Sequence, residues 1–154
     1  MNLELRVYNR SRGFTLIELL IVIAIIGVLS ALLMANFIGV RQRARDSQRK
    51  ADLRQIQSAL ELYRSDLSSY PNTVTSGQAL TSGGTTYMQK VPTDPLNSGQ
   101  SIYSYRINGA GGCTAAYCLY ACLENTSDAQ KDPSNNSTYC TGGSTNWSFT
   151  VTNP

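Results

Sequence analysis

The sequence has no histidine among its 154 residues. That absence removes His-based triads, most catalytic zinc sites and the commonest general base near neutral pH. Charged residues are only 15% of the chain and the formal net charge is +3, which argues against a general nucleic-acid binder. Proline is missing from residues 14–67, so nothing in that stretch forbids an unbroken helix. The four cysteines, Cys113, Cys118, Cys122 and Cys140, contain no C-x₂-C pair, a spacing that suits zinc poorly. A catalytic thiol would need a group that lowers its pKa, and the only basic residue nearby is Lys131. An even-numbered cysteine cluster in Ser/Thr/Asn/Gly-rich sequence instead implies disulfides and an oxidising, extracytoplasmic setting.

What the chain does have is an abrupt junction near its start. A polar leader carrying Arg6, Arg10, Arg12 and Glu4 ends at Gly13, and an apolar run extends from Phe14 to Val40. The run is too long for the core of a secretory signal peptide and long enough to span a bilayer. Its one carboxylate is Glu18. An isolated carboxylate inside a bilayer costs roughly 2.5–3.5 kcal/mol on insertion scales. A plain membrane anchor would have no use for it. A positive charge arriving inside the membrane would, and the α-amino group released by cleavage between Gly13 and Phe14 is such a charge.

The stretch Arg12-Gly13-Phe14-Thr15-Leu16-Ile17-Glu18, followed by the apolar run, resembles the processing signature of type IV pilins and of the pseudopilins of type II secretion and competence systems. The resemblance implies cleavage after Gly13 and N-methylation of Phe14 by a membrane peptidase. It also implies pairing of Glu18 with the N-terminal amine of a neighbouring subunit during assembly. Cleavage after residue 13 of 154 leaves 141 residues and a mature side-chain charge near +1.

Beyond the span, Leu53, Ile56, Leu60, Tyr63 and Leu67 recur at helical spacing and form one apolar stripe. Gly27 and Gly39 each weaken a helix by about 1 kcal/mol relative to alanine and are candidate bending points or sites of close helix packing. Relatives often carry proline where this chain has Ala35. Tyr70-Pro71 sets the helix end near Ser68. The stretch Ala51–Pro71 and the turn Val91-Pro92-Thr93-Asp94-Pro95 resemble those of major pseudopilins. Residues 72–99 read as a loop with one short helix near Gly77–Leu80.

Three strands are then expected. Ile102–Ile107 places Tyr103, Tyr105 and Ile107 on one face, and Asn108-Gly109 signals a hairpin. Ala116–Leu123 places Tyr117, Leu119, Ala121 and Leu123 on one face and Cys118, Tyr120 and Cys122 on the other. Asn146–Val151 places Trp147, Phe149 and Val151 together. Four cysteines permit three pairings. Cys113–Cys118 with Cys122–Cys140 is the favoured one, because the second bridge would close the polar loop Glu124–Tyr139.

Other signals are weaker. The resemblance leaves calcium open as a cofactor, with Asp94, Asp128 and Asp132 as candidate ligands, although their spacing fits no EF-hand loop and solvated loop carboxylates are the plainer reading. Asn125, Asn135, Asn136 and Asn146 begin N-x-S/T triplets. The basic run Arg41, Arg43, Arg45, Arg49, Lys50 and Arg54 reads as a solvated or subunit-paired helix face, with DNA or lipid headgroups as alternatives. Counting those charges would put the C-terminal side in the cytoplasm; the cysteines and the resemblance put it outside.

The expected fold is α+β and pilin-like: a leader 1–13, a hydrophobic helix 14–40, and an extracytoplasmic head 41–154. The head comprises an amphipathic helix 41–67, a loop region 72–99, and a small antiparallel sheet with a disulfide-bounded loop in 100–154. The expected function is structural, not enzymatic. The first reading is a subunit of a type IV pilus-like filament; the alternatives are a major pseudopilin of type II secretion and a membrane-anchored binding module. The partners implied by the resemblance are other copies of the chain, a prepilin peptidase, an assembly ATPase and its membrane platform. The chain would begin in the bacterial inner membrane as a single-pass precursor. It would end in a surface pilus or a periplasmic pseudopilus.

Overall fold

A computed structural model describes residues 13–99, 101–141 and 145–154; the leader residues 1–12 lie outside it. The chain divides into two units, one ending at Ile38 and one covering Gly39–Pro154. Helix α1, Leu16–Leu67, starts in the first and ends in the second. It continues through Gly27 and Gly39, neither of which has a side chain packed against it. Ser68 terminates it by adopting φ 58° and donating its N–H to the Arg64 carbonyl at 2.7 Å, a left-handed cap ahead of Pro71.

Within the first unit the apolar side chains are exposed on every side of α1. Leu16, Ile17, Leu20, Ile23, Ile26 and Leu29 range from 55% to 88% exposed. A helix apolar all round has no polar face to offer water and needs lipid or other helices about it. Leu16–Met34 is long and apolar enough to cross a membrane.

The second unit is an α+β head. Leu53, Ile56, Ala59 and Leu60 of α1 are buried against a three-stranded antiparallel sheet of order β3-β4-β5, comprising Ser104–Ile107, Tyr117–Leu123 and Trp147–Thr152. Each such fully buried leucine or isoleucine stabilises by about 1.5–3 kcal/mol. Leu67, expected in this stripe, is 41% exposed; the stripe turns to solvent in the last turn of α1.

Strand β4 is central, pairing Tyr117 with Ile107 on one side and Leu119 with Val151 on the other. Tyr117, Leu119, Ala121 and Leu123 face the helix side, with Tyr105, Phe149 and Val151. The opposite face is covered too. Cys113, Cys118 and Tyr120 form a second small cluster with Ala115 and Tyr139, so every residue of β4 is buried. The Tyr120 and Tyr139 rings stack at 4.3 Å. At Gly111 (φ 60°) a Cβ would collide with the Tyr139 hydroxyl, so glycine is required there.

Buried and half-buried tyrosines tie helix, loops and sheet together through their hydroxyls. Tyr103 donates to Asp52 at 2.7 Å, Tyr105 to the Pro71 carbonyl at 2.7 Å, and Tyr117 and Tyr70 both to Glu61. Burial pushes Tyr105 up to about 12, so it remains a donor throughout the physiological range.

The region 72–99 differs from expectation. Instead of a short helix near Gly77–Leu80 it holds a hairpin, with β1 at Leu80–Ser82 and β2 at Thr85–Met88. Gly83 and Gly84 take positive φ (55° and 84°) at its tip, as a tight two-residue hairpin turn requires. Leu80 and Met88 bury into the main core.

Disulfides join Cys113 to Cys118 and Cys122 to Cys140. The second spans a sequence separation of 18 and fastens the β4–β5 loop. Replacing Cys122 and Cys140 together by serine should cost the head about 3 kcal/mol in the chain-entropy account, read as a lowered midpoint in chemical denaturation.

Candidate processing and assembly site

Gly13 and Phe14 precede the helix in non-helical backbone, and Phe14 is 87% exposed. Such a segment can enter a peptidase site without melting helix. Thr15 is the N-cap. Its backbone N–H and its Oγ1 each donate to Glu18 Oε2 at 2.8 Å, and the Glu18 N–H returns to Thr15 Oγ1 at 3.3 Å. This reciprocal T-x-x-E arrangement is a capping box. It satisfies otherwise orphaned N–H groups and gives the carboxylate partners from its own chain. The motif Thr15-Leu16-Ile17-Glu18 could have been read as a cap from sequence; its resemblance to a processing signature masked that reading. Thr15→Val should loosen the first turn of α1 by about 1 kcal/mol, measured as faster amide exchange at residues 16–19 of the detergent-solubilised protein.

The basic run is not a uniformly solvated face. Arg49 is fully buried. Its Nε donates to Asp94 at 2.7 Å, and its Nη1 donates to Asp46 at 2.7 Å and to Glu124 at 2.8 Å. Arg45 forms a two-point pair with Glu124 at 2.6–2.7 Å, and Lys50 pairs with Asp128 at 2.8 Å. Asp46 also accepts the N–H groups of Glu124 and Asn125. The cluster thereby pins α1 to the β2–β3 connection and to the end of β4. Arg45, then Arg49, hold Glu124 below its usual carboxylate range, and Lys50 does the same for Asp128. A periodicity argument counts charges by face and could not detect that these would meet loop carboxylates 45 to 79 residues away.

The calcium candidates are each engaged by donors of the chain itself; Asp94 is buried, and Asp128 and Asp132 are half-buried. Asp94 lies buried on Arg49 and accepts the Leu96 N–H, Asp128 takes Lys50 and the Gln130 N–H, and Asp132 takes the N–H and Oγ1 of Thr150. Among the described residues no group of three or more His, Cys, Asp or Glu is placed to hold a metal. These residues do not fit the ion that the resemblance implies. Of the triplet asparagines, Asn135 has its side chain turned inward, accepting from Ser148 N and donating to the Cys140 and Asn146 carbonyls.

Two family descriptions match the chain. The prokaryotic N-terminal methylation motif covers residues 8–34, and type II secretion system (T2SS), protein G, covers residues 36–132. Among curated relatives, type II secretion system core protein G of Klebsiella pneumoniae is 36% identical over 109 residues, covering 62% of this chain and 76% of that protein. The protein of the same name from Pectobacterium carotovorum is 34% identical over 125 residues (67% and 80%), and that of Pseudomonas aeruginosa is 32% identical over 124 residues (73% and 85%). No solved structure gives a significant match. An apolar helix opened by a methylation motif therefore continues into a head that matches along most of its length, and the chain belongs to the protein G family of the type II secretion system.

Proposed function

We propose that this chain is the major pseudopilin of a type II secretion system, a structural subunit that polymerises through its N-terminal helix into a periplasmic pseudopilus. The observation that carries the reading is the match of residues 36–132 to protein G, which falls on the head and not only on the N-terminal signature shared with pilins. The head match favours the secretion reading over the type IV pilus-like reading taken first from the sequence.

In this account the precursor sits in the inner membrane through Leu16–Met34. Cleavage after Gly13 frees the Phe14 amine, which is then methylated. Until assembly, the capping box keeps the Glu18 carboxylate hydrogen-bonded to Thr15 of its own chain. On assembly, Glu18 accepts the amine of a neighbouring subunit and sets the register. The exposed apolar side chains of the first unit become the filament core, and the head forms the outside. An assembly ATPase and a membrane platform drive insertion.

Deletion of the gene in its native host tests the reading. Secreted enzymes should accumulate in the periplasm while surface pili persist. Loss of surface pili with secretion intact would favour the pilin reading.

A further inference from the structure

The resemblance to major pseudopilins implies a calcium ion in the C-terminal part of the head, and in this chain both aspartates of the loop already serve internal donors. Calcium requires 6–8 oxygen ligands. Both carboxylate oxygens of Asp128 accept from internal donors, Lys50 Nζ and the Gln130 N–H, each at 2.8 Å. Both oxygens of Asp132 do likewise, from Thr150 N at 2.9 Å and Thr150 Oγ1 at 2.6 Å. Four nearby carbonyls are also in use. Thr126 accepts from Lys131 Nζ at 2.5 Å, Asp132 from Trp147 Nε1 at 2.7 Å, and Cys140 and Asn146 from Asn135 Nδ2 at 3.3 Å.

The loop carries its own cation and its own covalent tie. The Lys131 ammonium bonds the Thr126 carbonyl while lying 4.0 Å from the centre of the Trp147 ring, an arrangement that holds a charge against both a carbonyl dipole and an aromatic face. The Cys122–Cys140 bridge closes the loop covalently. Asn135 and Asn136 lash its middle to the fully buried Ser148 of β5. The protein G match ends at residue 132, so Asn135, Asn136, Cys140, Trp147 and Ser148 all lie beyond it.

We propose that the head of this chain holds its C-terminal loop without calcium, the Lys131 ammonium and the Cys122–Cys140 bridge together closing the loop that an ion would otherwise close. The inference takes the expectation of an ion from the pseudopilin reading, but stands on the occupancy of these oxygens.

Trp147 is the sole tryptophan and reports on the loop directly. The oxidised full-length chain in detergent would be melted by tryptophan fluorescence, once in EGTA and once in millimolar calcium chloride. The two curves should superimpose. A midpoint that rises with calcium concentration, as a ligand of the folded state requires, would overturn the proposal. The Cys122→Ser/Cys140→Ser protein should melt lower and remain insensitive to calcium. Recovery of its midpoint by calcium would reveal an ion site in the loop and equally overturn the proposal. The secretion phenotype of the gene deletion is a separate readout. A calcium-dependent melt would therefore leave the pseudopilin reading standing.

Discussion

Arg49→Met should destabilise the head by about 3–5 kcal/mol, the range for removing one partner of a buried ion pair. Asp46 and Asp94 are themselves 1% and 4% exposed, and without the guanidinium two buried carboxylates would lose their counter-charge. Arg49→Lys should recover part of the loss. An ammonium is one point charge, whereas the guanidinium reaches Asp94 through Nε and Nη2 and Asp46 and Glu124 through Nη1. The pH dependence separates this cause from a packing defect. Glu124 and Asp128 have pKa values held below their ordinary 4.5 and 3.8. Their stabilisation is present above those values and lost as pH falls through the lowered folded ones, so the wild-type head weakens in acid. In Arg49→Met, Glu124 loses one of the two guanidinium groups that hold its pKa down, so the variant lacks that stabilisation at neutral pH, whereas in acid neither protein has it. The deficit of the variant should therefore be smaller near pH 4 than near pH 7. Denaturation midpoints at the two pH values measure this; a deficit that does not change with pH would point to packing.

The second large effect is expected at Glu18, and there the choice of substitution decides between two roles. Glu18→Ala removes both the cap and the charge. Glu18→Gln keeps a side chain that can close a capping box but carries no charge for a neighbour's amine. If the pairing drives assembly, both variants should be cleaved normally after Gly13, and both should enter filaments at least roughly tenfold less than wild type, as loss of one member of a desolvated charge pair predicts. If Glu18 serves only as a cap, Glu18→Gln should assemble nearly as well as wild type. Quantitative blotting of sheared filament and membrane fractions, with processed and unprocessed chains resolved, gives both answers.

Much of this architecture is local and so was legible. The proline-free run, the stripe Leu53–Ile56–Leu60 and the turn at Ser68 each depend on neighbours in sequence, and α1 and the three main strands appear close to where periodicity puts them. The hairpin β1–β2 was missed although Gly83-Gly84 between Thr- and Tyr-containing segments is a turn signal. Strands of three and four residues are too short for alternation to show. Burial of both faces of β4 was missed because it depends on a cover assembled from Cys113, Ala115 and Tyr139, residues outside the strand. The ion cluster was missed for the same reason on a larger scale. Arg49 looks like one more basic residue on a charged helix face until the chain folds Asp94 and Glu124 onto it. At residues 13–18 a local feature was missed for another reason: the resemblance to a processing signature drew attention to cleavage and pairing, and the capping box formed by Thr15 and Glu18 went unread.

The account rests on the chain being cut at Gly13 and rebuilt around the new amine of Phe14. Intact and N-terminal peptide mass spectrometry of the native protein, taken from its own membranes, tests this most directly. The account predicts a chain of 141 residues beginning at N-methylated Phe14. A native chain still beginning at Met1 and confined to membranes would contradict it, and would leave Leu16–Met34 as an ordinary anchor.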